Sequence, residues 1–258
     1  IEAFLKQLTV VDEIDSLPYV VGLEEGRLVT SAGQLVYVRG LVGAQPGQEG
    51  QIARPMNVYS QRGWSALDFR GDRFHTHWAY TDEAARYDAH GPKLGIELMQ
   101  HATGEVTKVQ GEITSVLLRQ EVRDVRIGDR ILPMPPPYDS HFTPHAPTSI
   151  PAEAIVLAVT DGTFNTGPRS VVALSIGSAQ GVNNGTVFST WHDGGKQPDM
   201  VAHKNRLLAQ SDKVDMPDEF SSHVMVFRTF NNISYALVMD GIRPVHVGNV
   251  LKHPDATE

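Results

Sequence analysis

The chain has eleven histidines and no cysteine. Histidine is therefore the first residue type to consider for metal binding or acid–base catalysis. His75 and His77 share one face if their segment is extended, so they could begin a metal site. His141 and His145 are four residues apart, but Pro144 lies between them and the segment is not predicted to be a helix, so this spacing carries little weight. No His-Glu-x-x-His motif or EF-hand loop is present. We therefore interpret the histidines as solvated loop residues and expect neither a metal nor another cofactor.

Patterns for nucleophilic catalysis and for phosphate binding are also missing. No Gly-x-Ser-x-Gly motif occurs, and Ser175 lies in a predicted core strand. The run Gly194-Gly195-Lys196 is followed by Gln197, where a phosphate-binding loop needs Ser or Thr. The carboxylate pairs Glu24-Glu25 and Asp82-Glu83 lie in polar segments that we expect at the surface. The residues alone therefore predict a protein that is not an enzyme and has no catalytic site.

Composition limits the other function classes. The 258 residues carry a formal net charge of −8, and no Lys/Arg cluster appears along the chain. Nucleic-acid binding requires a basic surface, so we expect no nucleic-acid partner. No apolar run approaches the length of a membrane-spanning helix, so we expect no membrane span. The first residue is Ile1, and a signal peptide or a further domain could precede it.

One segment of the sequence occurs twice, and its turn residues need a defined backbone geometry. Residues 113–133 align without a gap with residues 233–253, and five of the 21 columns are identical. The identical pairs are Ile113/Ile233, Leu117/Leu237, Arg123/Arg243, Val125/Val245 and Gly128/Gly248.

Each copy of this segment predicts the same local structure. A β-branched and aliphatic run forms a strand, and a Val-x-Val or Val-x-Ile alternation follows. The pairs Gly128-Asp129 and Gly248-Asn249 then supply the positive φ that a tight turn needs. An earlier alternating strand that ends in glycine precedes each copy, at Leu35–Gly40 and at Val171–Gly177. Any two β-hairpins share part of this pattern, but the upstream match favours two related modules.

These signals predict a mainly β fold with two tandem related modules of short antiparallel strands. Residues 1–32 form a lead segment. It begins with a short amphipathic helix, whose apolar face consists of Ile1, Phe4, Leu5 and Leu8, and a helical or turn segment follows from Asp12 to Leu17. The first module spans 33–133 with an insertion at 61–94. The proline-rich stretch 134–153 is a semi-rigid linker. The second module spans 154–258 with an insertion at 192–222.

Several stretches, taken in order, resemble the type IV pilus secretin-associated (TsaP-like) family of LysM-domain proteins, in the region after the LysM domain. The C-terminal part is similar to the C-terminal domain of the flagellar assembly protein FlgT. The resemblance rests on Ile1–Leu5, Val10–Asp12, Pro18–Val21, Val36–Gly40, Ile127–Pro133, Phe142–Pro147, the spaced glycines of Val171–Gly185, Val226–Phe230 and Ser234–Leu237.

Membership in this family implies a periplasmic structural adaptor without catalytic activity. An upstream LysM domain would bind peptidoglycan, while the present region would contact the outer-membrane secretin ring, with a possible homo-oligomer around that ring. The resemblance identifies no contact residues. The alternative is a cell-wall hydrolase or its regulatory module, because LysM domains often accompany hydrolases. The missing catalytic pattern argues against that alternative.

Overall fold

The computed structural model of this protein describes residues 7–28, 30, 32–61, 74–76, 93–136, 138, 141–159, 165–199, 201 and 213–257. Two compact units are present; among the described residues, the first is built from 7–61, 75–76 and 93–138 and the second from 74 and 141–257. Both consist of antiparallel strands, with 3-10 turns at Glu24–Gly26 and Ser178–Gln180. The described residues contain no α-helix, and hence none long and apolar enough to cross a membrane. The prediction of a mainly β fold is therefore confirmed.

The first unit is a sheet that closes on itself. Its region contains β1 (Leu8–Val11), β2 (Tyr19–Leu23), β3 (Leu35–Arg39), β4 (Glu49–Gln61), β5 (Phe74–Thr76), β6 (Lys93–Gln110), β7 (Ile113–Glu121) and β8 (Arg130–Pro133). β4 pairs with both β6 and β8, and β8 pairs with β2. The first ring therefore runs β2, β3, β7, β6, β4, β8 and back to β2. β1 pairs with β6, and β5 lies beside β4.

The second unit closes in the same way. Its strands are β9 (Val156–Val159), β10 (Asn165–Thr166), β11 (Val171–Leu174), β12 (Val187–His192), β13 (Lys196–Pro198), β14 (Lys213–Asp215), β15 (Glu219–Thr229), β16 (Ser234–Gly241), β17 (Val245–His246) and β18 (Val250–Lys252). The sheet order is β9, β11, β16, β15, β12, β18. A bridge between Ile155 and Val250 joins its two ends and completes the second ring.

The two rings share their strand order and their residue register. Leu117 pairs with Leu35 in the first ring. Leu237, its equivalent in the repeat, pairs with Val171 in the second. Three further pairs of the β4–β6 hairpin match pairs between β12 and β15. Gln51–Thr103 matches Ser189–His223, Ile52–Ala102 matches Thr190–Ser222, and Ala53–Gln100 matches Trp191–Phe220. The repeat seen in the sequence therefore extends through the β4–β6 hairpin and its counterpart β12–β15.

Each ring encloses its own apolar core, because alternate side chains of every strand point inward. In β3, Val36 and Val38 are 0% exposed while their neighbours face outward. The first core contains Val20, Leu23, Val36, Val38, Ile52, Ala102, Val106, Val116, Leu118, Val125 and Ile131. The second contains Ala154, Val156, Val159, Val172, Leu174, Ile176, Val182, Phe188, Val224, Val226, Ala236, Val238, Val245 and Leu251.

The predicted N-terminal helix is wrong where the structure describes it. Leu8 begins β1 and pairs with Met99 of β6. The β-branched run Thr9-Val10-Val11 favours a strand, and β6 offers an edge that this strand completes. Residues 1–6 of the predicted helix lie outside the described residues. The segment from Asp12 to Leu17 is a turn, in which Leu17 N donates to Ile14 O at 3.1 Å.

The structure places β pairings within several of the predicted segments. β2, placed in the lead segment 1–32, is a strand of the first ring. In the predicted linker 134–153, His145 forms a parallel bridge with Thr186 of the second unit. The insertion 61–94 starts where β4 ends. The insertion 192–222 contains the β13–β14 hairpin and the first residues of β15.

Candidate functional site: an arginine-lined groove at the repeated turn

The repeated glycines connect the hairpin to the first strand of each ring. Gly128 has φ of 93° and Gly248 has φ of 89°, the positive values expected of the tight turn. Gly128 N donates to Val20 O at 2.8 Å, and Gly248 N donates to Val156 O at 2.8 Å. The turn therefore fastens β8 to β2, and likewise β18 to β9, where each ring closes.

Asp129 and Asn249, the residues after these glycines, hold the turn from inside. Both are buried, at 2% and 1% exposure. An Asp129 carboxylate oxygen accepts a hydrogen bond from Arg126 N at 2.8 Å. Asn249 Oδ1 accepts the equivalent bond from His246 N at 2.8 Å. The turn thus requires an oxygen acceptor at this position, but it does not require a negative charge.

The charge of Asp129 is matched by Arg54, which reaches across from β4. Arg54 Nε donates to Asp129 Oδ1 at 2.8 Å, and Arg54 Nη2 donates to Asp129 Oδ2 at 2.9 Å. Nη2 also donates to the main-chain oxygen of Asp124 at 2.9 Å. Burial opposes the charge of Arg54, but the hydrogen bond and the charge of Asp129, together with Asp124, raise its pKa. This paired geometry is the strongest that an arginine and a carboxylate form.

His101 of β6 lies beside this ion pair and is 3% exposed. Its Nδ1 lies 2.7 Å from the main-chain oxygen of Asp124. A carbonyl only accepts, so Nδ1 carries the proton and Nε2 presents a lone pair in the neutral ring. Nε2 is buried and has no hydrogen-bond partner among the described residues. Burial lowers the pKa of His101, the bond to Asp124 opposes this, and the positive charge of Arg54 lowers it further.

Three more arginines lie around Arg54 and His101 on the protein surface. Arg126 Nε donates to Asp124 Oδ2 at 2.6 Å, and its side chain is 57% exposed. The pKa of Asp124 is raised by burial but lowered more by the paired Arg126, so the net shift is downward. Arg130 donates to Ile14 O at 3.3 Å and to Gly128 O. Within the described part of the chain, the exposed guanidinium of Arg123 forms neither a hydrogen bond nor an ion pair.

We call this surface the arginine groove. Its volume is about 550 Å³, and its lining includes Arg54, His101, Arg123, Arg126, Asp129 and Arg130. Four guanidinium groups therefore meet in a protein whose net charge is −8. Guanidinium groups present planar donor pairs that match carboxylates and phosphates. The groove is suited to bind an anionic group.

The second copy of the repeat does not reproduce this groove. At the equivalent positions the second copy has His192 for Arg54, Ser221 for His101, His246 for Arg126 and Val250 for Arg130. Arg243 is the counterpart of Arg123, but its guanidinium is engaged within the second unit. It donates to Phe220 O at 3.2 Å and forms an ion pair with Glu219 at 3.5 Å. The positive surface is thus a feature of the first copy.

The other sequence candidates have structural roles where they are described. His145 contacts Thr143 O at 3.0 Å and Thr186 Oγ1 at 3.2 Å. Ser175 Oγ accepts a hydrogen bond from Ile155 N at 2.8 Å. Glu24 accepts one from Leu35 N at 3.0 Å. Lys196 pairs with Asp215 at 3.4 Å in the β13–β14 hairpin.

Some of the histidines and carboxylates singled out in the sequence lie outside the described residues. His77, Asp82 and Glu83 lie outside the described residues, and the structure describes only the backbone of His75. Across the described residues, no three His, Asp or Glu side chains come close enough together to hold a metal ion.

Sequence reasoning identified Gly128 and Asp129 but missed Arg54 and His101. These two lie on β4 and β6, far from the turn along the chain. The available signal was a difference between the copies, since Arg126 and Arg130 align with His246 and Val250. Three of the groove arginines, Arg123, Arg126 and Arg130, lie close together in the sequence but are separated by acidic and apolar residues, and only folding adds Arg54 from β4.

No protein-family model matches this chain, and no curated protein matches it significantly.

Proposed function

We propose that this protein is a non-catalytic periplasmic adaptor that associates with the outer-membrane secretin of the type IV pilus. A LysM domain upstream of the present chain would hold it to peptidoglycan. The ordered set of motifs shared with the secretin-associated family supports the choice of partner. The arginine groove supplies the surface on which a partner would bind.

The observation that carries this proposal is the difference between the two copies of the repeat. The second copy closes its ring with the same backbone hydrogen bonds and uses Asn249 where the first uses Asp129. Folding of the turn therefore does not need the charged set around Arg54. Burying charged groups costs desolvation free energy that even a well-formed ion pair only offsets, so the presence of this charged set in one copy favours a recognition role.

The chemistry of the groove specifies the kind of surface that it fits. Arg123 and Arg126 are exposed, so a carboxylate-bearing loop of a partner can reach them. The chain as a whole has a formal net charge of −8, so an acidic partner is attracted to the groove rather than to the protein in general. A secretin is a ring, so several copies of this protein would bind around it. Each contact could then be weak, because the wall anchor and the neighbouring copies raise the effective concentration.

Charge reversal in the groove tests the proposal. The variant Arg123→Glu/Arg126→Glu should lower co-sedimentation with purified secretin rings by about tenfold or more, and the wild-type interaction should weaken with salt. The matched control is Arg39→Glu/Arg119→Glu. Both control arginines are exposed and pair with a glutamate, at 2.8 Å to Glu112 and 2.6 Å to Glu105.

Each outcome has a distinct meaning. Equal loss in both double variants would show a general charge effect and remove the groove from the proposal. Failure of the wild-type protein to decorate secretin rings in electron micrographs would remove the secretin as partner. Release of muropeptides from peptidoglycan by the purified protein would favour the cell-wall hydrolase instead. Full binding after deletion within 61–94 or 192–222 would exclude that insertion as a contact.

A further inference from the structure

The first ring contains an apolar pocket of about 240 Å³ that is separate from the arginine groove. Its inner wall is formed by the core residues Ile52, Val116 and Ile131, which are at most 5% exposed. Leu41 and Val42 lie at its mouth, and Val42 is 96% exposed. We call it the glycine pocket, after two glycines that line it.

Gly50 and Gly104 face each other across β4 and β6 in this pocket. Neither has a positive φ, so the φ angle at these positions does not require glycine. A Cβ at Gly50 would meet Leu132 O at 3.1 Å, so the main chain of β8 would have to move by a few tenths of an ångström. Backbone conformation therefore does not explain why two paired strand residues lack side chains.

The second ring shows what the same frame holds when these positions carry side chains. Phe188 pairs with Val224 there, in the register of Gly50 with Gly104. Both are 0% exposed and belong to the second core. The phenyl ring of Phe188 thus lies inside the second ring, where the first ring has a pocket.

Neighbouring residues compensate only in part for the missing side chains. Ile52 stands where the second ring has Thr190, and Val116 stands where it has Ala236. Val116 Cγ1 lies 2.6 Å from the position that a Cβ at Gly104 would take. The remaining space still exceeds the volume of about 150 Å³ that holds a benzene molecule in an engineered cavity.

We propose that the glycine pocket binds an aromatic side chain of a partner polypeptide, which takes the place that Phe188 occupies in the second ring. This inference goes beyond the adaptor proposal and does not depend on the arginine groove. A polypeptide fits better than a free ring because exposed Val42 extends the apolar surface past the mouth. Gln48 and Glu49 also line the pocket and offer polar groups to a peptide backbone. An aromatic anchor in a preformed pocket is typical of interface hot spots.

Binding of small probes to the full chain tests the inference. N-acetyl-phenylalaninamide should shift the methyl NMR resonances of Ile52 and Val116, and N-acetyl-alaninamide should not. A Gly-Gly-Phe-Gly-Gly peptide should bind more tightly than toluene. Toluene binding as tightly as the peptide would overturn the assignment to a polypeptide, and no shift with any aromatic probe would overturn the pocket as a site.

Two variants locate the binding. Gly50→Phe should fill the pocket, raise the melting temperature and abolish probe binding. Val42→Asp changes only the exposed mouth and should weaken peptide binding by about fivefold to tenfold. Leu28→Asp is the matched control, because Leu28 is an apolar residue that is 89% exposed and does not line the pocket. Unchanged binding in both Gly50→Phe and Val42→Asp would refute the proposal, and Val42→Asp decides alone if Gly50→Phe does not fold.

Discussion

Asp129 and Asn249 accept the same main-chain hydrogen bond at 2.8 Å in the two copies of one turn, yet only Asp129 is bound by an arginine. The two residues differ by a single charged group on a shared backbone frame. The shared frame accounts for the same ring closure in both copies, and the charge accounts for the different surface of the first copy. This contrast allows the structural and the recognition roles of the turn to be measured separately.

Exchange of these two residues should separate hydrogen bonding from ion pairing. Asp129→Asn keeps the acceptor for Arg126 N but loses the charge that faces Arg54, so we expect a decrease of about 1–3 kcal/mol in unfolding free energy. Asp129→Ala should cost more, because Arg126 N then also loses its partner. Urea unfolding measures both. Equal stability of Asp129→Ala and the wild type would contradict the role of this residue in the turn.

Asn249→Asp is the reciprocal change and lacks an arginine partner. It places a carboxylate at a position that is 1% exposed, where the counterpart of Arg54 is His192. We expect destabilisation that increases with pH, because the ionised form is the one that burial penalises. A variant as stable as the wild type at neutral pH would show that water reaches this site.

The glycines of the turn should be sensitive to substitution because of their backbone conformation. Gly128→Val and Gly248→Val would place a β-branched residue at φ near 90°, with no atom within 4 Å of the new Cβ. Each should cost about 1–3 kcal/mol from backbone strain alone. Gly167→Val is the control, because Gly167 has equal space and no positive φ. Thermal melts in which all three variants behave alike would refute the strain.

His101 should make the stability of the protein depend on pH. Burial lowers its pKa in the folded state, so the unfolded chain binds the proton more readily. The stabilising contribution is complete above the unfolded pKa of about 6.5 and is lost as pH falls toward the folded value. Arg54, Asp124 and Asp129 are the charged groups around the ring.

The measurement compares the wild type with His101→Asn, whose amide can still donate to Asp124 O. Between about pH 7.5 and about pH 5 the wild type should lose more unfolding free energy than the variant. Parallel pH profiles for the two proteins would show that His101 does not titrate in this range.

Ser234 should tolerate loss of its hydroxyl. It is 0% exposed, and its Oγ lacks a hydrogen-bond partner among the described residues. Ser234→Ala should therefore be neutral or stabilising by up to about 1 kcal/mol. Ser222→Ala is the matched control, because Ser222 is also buried but its Oγ donates to Arg243 O at 3.0 Å. Ser222→Ala should cost about 1 kcal/mol. A larger loss for Ser234→Ala than for Ser222→Ala in urea unfolding would contradict this expectation.

Local residue patterns were enough to predict the β class, the strand Leu35–Arg39 and the turn at Gly128 and Gly248. These features depend on alternation of apolar residues and on the φ values open to glycine, which are properties of a few neighbouring residues. The same local reasoning placed a helix at Leu8. It was wrong there because the edge of β6, nearly a hundred residues away, pairs with that segment.

The closure of each ring, the arginine groove and the glycine pocket were decided by the tertiary structure. Arg54 and Asp129 are 75 residues apart in the chain, and Gly50 and Gly104 pair between strands, so no local pattern connects them. The sequence by itself determined that two copies of one hairpin exist. Pairing between distant strands decided which side chains meet, because contacts across a closed sheet depend on register rather than on separation along the chain.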